Sequence, residues 1–513
     1  MNGAESVIRT LIEGGVEVCF ANPGTSEIQF VAALDRVSGM RAIPTLFEGV
    51  AVGAADGYAR MTAKPACSLL HLGPGFANGL ANLHNASRAH VPLVNIIGDH
   101  ATYHRKHDAP LTADIEALAR PYSSWLRTSA SAAQVGQDCA EAIAAACEAP
   151  GRIATLILPA DVAWSEGGRT AMLPAIPVAL LPDESSIAHA ASMLKNGEKT
   201  AILLGDRAAQ GDALRTAARI AAATGAALLA PFSFSRIERG AGRPMVARIP
   251  YVVEQAVEQL REFRQLMLVG AQAPVAFFAS PSTPSVVTPP GCNIFTLARS
   301  SENGLQALVA LAETLSASNV AFRPQAAARP ALPTGEITLA GLAAAVGALL
   351  PEHAIVIDES LTSGRGMLTT TKGAPPHDWL VNTGGSIGLG TPLAVGAAVA
   401  CPDRPVLCLA GDGSLMYTLQ SLWTAARERL NITLVVFANR SYAILKGELS
   451  RLEGTSGSRA LDLLDIGRPD LDFVALAKGL GVPGRRVSTL EEFATALQSG
   501  FESCAPNLIE VPL

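Results

Sequence analysis

Of 513 residues, 49% are hydrophobic and 16% charged, which is enough apolar mass for several buried cores; at roughly 100–200 residues per domain, about three units are expected. A formal net charge of −6 and a pI near 5.9, with Lys and Arg scattered, exclude a basic footprint for nucleic acid or anionic membrane. Eight dispersed cysteines without metal-ligand spacing suit free thiols in a reducing cytoplasm, the start MNGAESVIRTLIEGG lacks the regions of a secretion signal, and no apolar run approaches the roughly 18 residues of a membrane span.

In chain order, short apolar runs end in Gly, Asp, Asn or Pro: VEVCFANPG, ACSLLHLGPG, PLVNIIGD and ATLILPAD, then TAILLGD, AALLAPF and QLMLVGA, then AIVIDES, PVLCLAGDG, ITLVVFAN and NLIEV. Continuous rather than alternating hydrophobicity marks strands covered on both faces, as in parallel sheets. Helix-period segments lie between them, so the fold class is α/β, with doubly wound parallel sheets. Two Pro-rich stretches without periodicity, 163–186 and 316–336, read as linkers. They bound expected domains at 1–165, 186–318 and 337–513.

The third unit carries the clearest chemistry. A strand over 405–410 runs into the turn Gly411-Asp412-Gly413; a helix over 414–428 follows, with Leu415, Leu419, Leu422 and Ala426 on one face. A strand over 432–438 then ends at Asn439. Both polar residues fall at carboxyl ends of parallel strands, where ligands bind in open α/β sheets. Carboxylate and amide oxygens are hard ligands suited to Mg²⁺, and the Gly413 and Ser414 amides at a helix start suit phosphate oxygens. A lone GDG is usually a turn; the asparagine at a strand-defined distance points instead to a metal bridging protein and diphosphate.

GDGS followed by NRSY resembles the GDG-to-NN motif of thiamine diphosphate enzymes, in the 2-oxo acid decarboxylase and acetolactate synthase branch. Residues 21–27 (ANPGTSE), 46–60 (LFEGVAVGAADGYAR), 69–83 (LLHLGPGFANGLANL) and 384–398 (GGSIGLGTPLAVGAA) follow in the family's order, closest to benzoylformate decarboxylase. The resemblance implies the pyrimidine-binding, middle, diphosphate-binding order of domains. It implies Asp412, Asn439 and the Ser441 carbonyl as Mg²⁺ ligands, with Gly411, Gly413, Ser414 and Tyr442 about the diphosphate. Ala438 stands where the family usually has a first asparagine. Thr362 and Ser363, in IDESLTS, correspond to further diphosphate donors, although Ser and Thr after a strand are also common turn residues.

The same resemblance gives Glu48 the hydrogen bond to N1′ of the aminopyrimidine, Gly385 the carbonyl for the 4′-amino group, and Ile387 the wedge that folds the cofactor. Read alone, Glu48 is a solvated acid at a helix N-terminus and Ile387 a core residue. Apolar Leu46 and Phe47 beside Glu48 would favour a retained, shared proton.

On the substrate side His71 ends a strand, where a structural role competes with proton transfer; the family position favours the latter. Thr25 and Ser26 jointly occupy the place of a carboxylate-binding serine. His104 and His107, in GDHATYHRKHDAPL, correspond to a substrate-facing histidine pair or else to a solvated loop. Two departures follow: Phe277 and Phe278 stand where benzoylformate decarboxylase has a second histidine, and Lys446 and Glu448 do not match the Arg-Gln-Trp element of acetolactate synthases.

The implied reaction is non-oxidative decarboxylation of a 2-oxo acid, the product being protonated to an aldehyde or joined to an aldehyde or ketone acceptor. The alternative is an acetolactate synthase-like carboligase; in a different class stands a non-catalytic cofactor-binding homologue. FAD has no motif behind it, since no G-x-G-x-x-G follows a strand in the middle unit. Relatives complete such sites across a subunit interface, so a homodimer or homotetramer is implied.

Overall fold

The computed structural model describes residues 1–281, 283–451 and 457–513. The apolar runs form the strands. In the first 165 residues these are β1 (Val18–Ala21), β2 (Arg41–Pro44), β3 (Ala66–His71), β4 (Leu93–Asp99), β5 (Trp125–Thr128) and β6 (Ile153–Pro159), all parallel, in the order β2-β1-β3-β4-β6-β5. Every residue of β4 and β6 is buried, as strands covered by helices on both faces require. The order reverses between β1 and β3, so residues following β1 and the end of β3 flank a crevice at the carboxyl edge.

The chain divides into two compact units: Met1–Ile176 with Pro330–Thr371 and Asn382–Leu513, and Pro177–Arg329 with Lys372–Val381. The second unit holds β7 (Thr200–Leu204), β8 (Ala227–Ala230), β9 (Ile237–Arg239), β10 (Ala247–Arg248), β11 (Gln265–Val269) and β12 (Asn293–Ala298). Five of these form the parallel order β10-β8-β7-β11-β12. Its β9 pairs antiparallel with β14 (His377–Val381), an exception to the all-parallel expectation, and it draws residues 372–381 away from the stretch expected to begin at 337.

Back in the first unit, β13 (Ile355–Glu359), β15 (Val406–Gly411), β16 (Ile432–Ala438), β17 (Gly484–Arg486) and β18 (Asn507–Pro512) lie in the parallel order β17-β18-β16-β15-β13. The first and third expected domains thus share one body because two helices, Glu48–Thr62 and Gly390–Ala400, are buried along nearly their whole length and meet backbone to backbone. A Cβ on Gly57 would lie 2.2 Å from the Leu393 carbonyl oxygen, and one on Gly396 would lie 1.9 Å from that of Ala54. Only glycine permits this approach.

The helix expected over 414–428 is two pieces, Asp412–Leu415 and Ser421–Glu428. The break has a long-range cause: Thr418 turns its hydroxyl to the Gly388 carbonyl at 2.9 Å, and Tyr417 packs on the face of Gly388 that lacks a Cβ. No helix among the described residues is long and apolar enough to cross a membrane.

Candidate active site

At the ends of β15 and β16 the geometry is dictated by main-chain donors. Asp412 is buried; its Oδ1 accepts the Gly413 N–H at 2.8 Å and its Oδ2 the Arg440 N–H at 2.6 Å, which brings Asn439 to the neighbouring strand end. Arg440 adopts φ +55°, uncommon without glycine, and its guanidinium is held by Asp470 at 2.6 and 2.9 Å. Asn439 Oδ1 accepts the Ser441 N–H at 3.0 Å. Burial pushes the Asp412 carboxyl above the ordinary carboxylate range, against the pull of the Gly413 and Arg440 donors.

Two observations test whether a metal-bound diphosphate suits this corner. The Ser414 hydroxyl oxygen is buried without a hydrogen-bond partner among the described residues, so a polar acceptor or donor is owed there. The available ligand atoms, a carboxylate, an amide oxygen and a main-chain carbonyl, are the hard set that Mg²⁺ takes. A Cβ on Gly413 would lie 2.8 Å from the Tyr442 ring, so the turn is glycine by contact as well as by motif. The residues fit the group.

The glycine loop 382–390 is shaped from two sides. From below, Glu359, buried at the end of β13, receives the N–H of Gly388 (3.1 Å), Leu389 (3.2 Å) and Gly390 (2.9 Å), and the Asn382 side chain (3.0 Å). Burial raises its pKa; those four donors oppose the rise. From the helix Leu72–Arg88, Asn85 Nδ2 donates to the Ser386 carbonyl at 2.8 Å while its Oδ1 accepts the Ser386 N–H at 3.2 Å. Asn82 Nδ2 reaches the Gly49 carbonyl at 2.7 Å and the Gly388 carbonyl at 3.5 Å, tying the residue after Glu48 to the residue after Ile387. Between these pins Ile387 is only half-buried, unlike a core residue, and Gly385 is exposed at φ +83°.

Glu48 opens the helix Glu48–Thr62 and is 6% exposed. Its Oε2 accepts from Asn78 Nδ2 at 3.0 Å; beside Oε1 lies Gly75, where a Cβ would come within 3.0 Å of that oxygen and 3.3 Å of His71 Cβ. The glycine leaves a cradle between Glu48 and His71, with one carboxylate oxygen facing it. Of the two apolar residues expected beside Glu48, Leu46 is turned outward while Phe47 is half-buried against Gly49, and the carboxylate's polar neighbour is the Asn78 amide.

His71 Nδ1 lies 2.7 Å from Glu27 Oε2 and 3.1 Å from Ser26 Oγ, and Ser26 Oγ donates to Glu27 Oε1 at 2.5 Å. A carboxylate only accepts, so Nδ1 carries a hydrogen toward Glu27 and Nε2 is the ring nitrogen left for other partners. Glu27 is buried, takes the Gly24 N–H at 2.7 Å and occupies the room left by Gly98.

The structure therefore groups Glu48, His71 and Ser26 at one edge, and Asp412, Gly413, Ser414, Asn439, Ser441 and Tyr442 at another. Thr25 is exposed. His104 and His107 are exposed and lie ring to ring at 5.6 Å, on a loop anchored by the Arg105–Asp99 ion pair at 2.6 Å, rather than against Glu48 or His71. Ser363 is buried in a turn, its N–H on the Ser360 carbonyl, and Thr362 is part-exposed. Sequence reasoning passed over Glu27, Asn78, Asn82, Asn85, Glu359 and Asn382. Asn78, Asn82 and Asn85 recur at helical spacing, a polar stripe that was legible; Glu359 was visible only as an acid closing a buried strand.

Comparison with known proteins agrees with this architecture. The thiamine pyrophosphate enzyme N-terminal TPP binding domain matches residues 1–118, and the C-terminal TPP binding domain matches residues 365–511. The chain is 54% identical to a Mycobacterium tuberculosis protein named "Putative acetolactate synthase large subunit IlvX", over 100% of this chain and 99% of the relative. It is 28% identical to benzoylformate decarboxylase of Pseudomonas aeruginosa, over 97% and 96% of the two chains. Among solved structures, the thiamine diphosphate-dependent 4-hydroxybenzoylformate decarboxylase of Rhodococcus jostii superposes with a TM-score of 0.85 at 25% identity, covering 100% of this chain and 99% of that one. With two cofactor-domain matches in register and full-length relatives, the chain belongs to the thiamine pyrophosphate-dependent enzyme family, whose members include decarboxylases and carboligases.

Proposed function

We propose that the protein decarboxylates a 2-oxo acid in a thiamine diphosphate- and Mg²⁺-dependent manner, delivering the product as an aldehyde or joining it to an aldehyde or ketone. The observation that carries the reading is the corner at Asp412: a buried acid and Asn439 on adjoining strand ends, beside a buried Ser414 hydroxyl with no partner among the described residues. Asp412, Asn439 and the Ser441 carbonyl would hold the metal; Gly411, Gly413, Ser414 and Tyr442 would surround the diphosphate, with Thr362 and Ser363 as outer donors. When bound, the cofactor supplies the electron sink that makes loss of CO₂ feasible.

The chain's own residues supply position and protons. Asn78 fixes one oxygen of Glu48, leaving Oε1 directed at the cradle at Gly75, in place for proton transfer there. Ile387, pinned on both sides, is the wedge, and Gly385 presents its carbonyl. His71, its tautomer set by Glu27, offers Nε2 for proton transfer at the substrate, with Ser26 or Thr25 near its carboxylate. His104 and His107 reach it only if their loop closes.

Acetolactate synthase-like carboligation is the second reading, favoured by the name of the relative at 54% identity and by Phe277 and Phe278 where a second proton-donating histidine would stand. A non-catalytic homologue is the third. CO₂ release screened over pyruvate, aromatic and branched 2-oxo acids, with and without aldehydes, separates them: no release from any acid leaves only the third. A visible flavin spectrum would favour carboligation or oxidation.

An oligomer with sites completed between copies is part of the proposal. Leu46, Leu361, Met416, Tyr417 and Leu445, on segments that follow strand ends around the two edges, are exposed apolar side chains on the single chain. Light scattering that returned only monomer would remove this part. Cytoplasmic residence is inferred from the dispersed cysteines alone, none with metal-ligand spacing.

A further inference from the structure

Glu359 is the most committed buried acid outside the expected motif residues. It is 3% exposed and makes no ion pair among the described residues; each oxygen is spent on N–H donors of the glycine loop. Burying a carboxylate costs several kcal/mol unless donors compensate, so an acid here is retained for what it organises. A Cβ on Gly390 would lie 3.0 Å from both Glu359 Cβ and Oε2, so acid and loop are in contact with no slack.

The targets are three successive main-chain N–H groups, those of Gly388, Leu389 and Gly390. They begin at the residue after Ile387. On the other side of Ile387, Ser386 is held by Asn85 through both its N–H and its carbonyl, and Asn382 Nδ2 donates to the Ser386 carbonyl at 2.5 Å. Ile387 thus projects from a short span of backbone clamped at each end, with Glu359 the charged clamp.

We propose that Glu359 is a positioning residue: by receiving the N–H groups of residues 388–390 it fixes the backbone from which Ile387 projects, and thereby the angle at which the cofactor's rings are folded toward Glu48. The proposal rests on the thiamine diphosphate reading of the site. It assigns Glu359 no contact with cofactor or substrate. A purely structural acid, tying β13 to the helix Gly390–Ala400, would be needed for stability but indifferent to what the loop presents.

Glu359→Gln keeps the shape and replaces one acceptor oxygen by a donor, which must face an N–H of the loop. In the metal-loaded full-length protein, calorimetry should show thiamine diphosphate binding weakened about 10-fold, with kcat down about 100-fold at saturating cofactor. Inorganic diphosphate with Mg²⁺, which needs no wedge, should bind within about twofold of wild type. In an Ile387→Ala background the substitution should cost less than about threefold in kcat, because its route of action is already gone. Hydrogen exchange in apo-protein should quicken over 384–391 and not over β15 or β16.

Equal weakening of diphosphate and cofactor, additive losses in the double variant, or unchanged exchange over 384–391 would each overturn the proposal without touching the function. Failure of the wild type to bind thiamine diphosphate would instead overturn the function. Should Glu359→Gln not fold, Glu359→Asp, which keeps the charge but shortens the reach, must show the same divergence between cofactor and diphosphate, and its absence counts against the idea.

Discussion

Main-chain groups shape the edge formed by the glycine loop and the Asp412 turn, whereas side chains shape the edge around His71. At the first, Glu359, Asn85 and Asp412 all engage backbone N–H or C=O groups, and Gly413, Gly388 and Gly390 are contact-limited. At the second, Ser26, Glu27 and His71 hold one another, and the nearby His104–His107 loop faces solvent. A backbone-built edge admits few residue types, so its chemistry is hard to change; a side-chain edge can be rebuilt by substitution. On the proposed reading, the first edge would hold the cofactor's diphosphate and the second would face the substrate.

The strongest attempt to break that contrast is Asp412→Ala. It removes the acceptor of the Gly413 and Arg440 N–H groups together with the proposed metal ligand, and should abolish cofactor retention and lower CO₂ release by about 10³-fold or more. Retained cofactor by calorimetry would mean that this edge is not the diphosphate site. Next in size, Glu48→Gln should lower kcat by about 10²-fold or more while cofactor affinity changes little, since the substitution leaves the Asp412 corner intact. Stopped turnover with lost binding would place Glu48 in anchoring rather than in proton transfer.

Much of the backbone-built edge was legible in the sequence. The strand expected over 432–438 is Ile432–Ala438, and the turn at Asp412 with Asn439 beyond it follows from two buried apolar runs and one glycine pair. What stayed hidden depends on partners far along the chain. Thr418 breaks the expected helix because its hydroxyl belongs to Gly388, and Glu359 serves amides some 29–31 residues further on. Glu27 closes the run ANPGTSE, yet its significance is its contact with an imidazole 44 residues away. Local periodicity carries burial and element type; it carries no information on which distant amide a buried acid will meet.

The side-chain edge should respond more gently. Glu27→Gln preserves the shape but weakens the hold on the His71 tautomer, and should lower kcat about 10- to 100-fold with an altered pH-rate profile, while thiamine diphosphate binding stays near wild type. An unchanged profile would make the Glu27–His71 pair structural. This loss should be smaller than that of Asp412→Ala; if it were larger, the edge around His71 would be the more demanding of the two, and the contrast would be reversed.

The smallest effect is expected at Asp99, which anchors the exposed histidine loop. Burial holds its carboxyl above the ordinary carboxylate range, although Arg105 and the His100 N–H pull it down. A carboxyl whose folded pKa is raised contributes stability that is fully present below its unfolded value and is lost as pH rises through the folded value. At neutral pH the ionised Asp99 therefore carries a net burial cost, only partly offset by Arg105 and the His100 N–H. Asp99→Asn should leave the protein as stable or more stable by up to about 1 kcal/mol at pH 7, a gain that shrinks as pH falls into the carboxylate range. Melting curves at pH 7 and pH 4.5 test the sign: a variant less stable at pH 7 would show that the Arg105 pair outweighs desolvation, and that this loop is held as firmly as the glycine loop across the site.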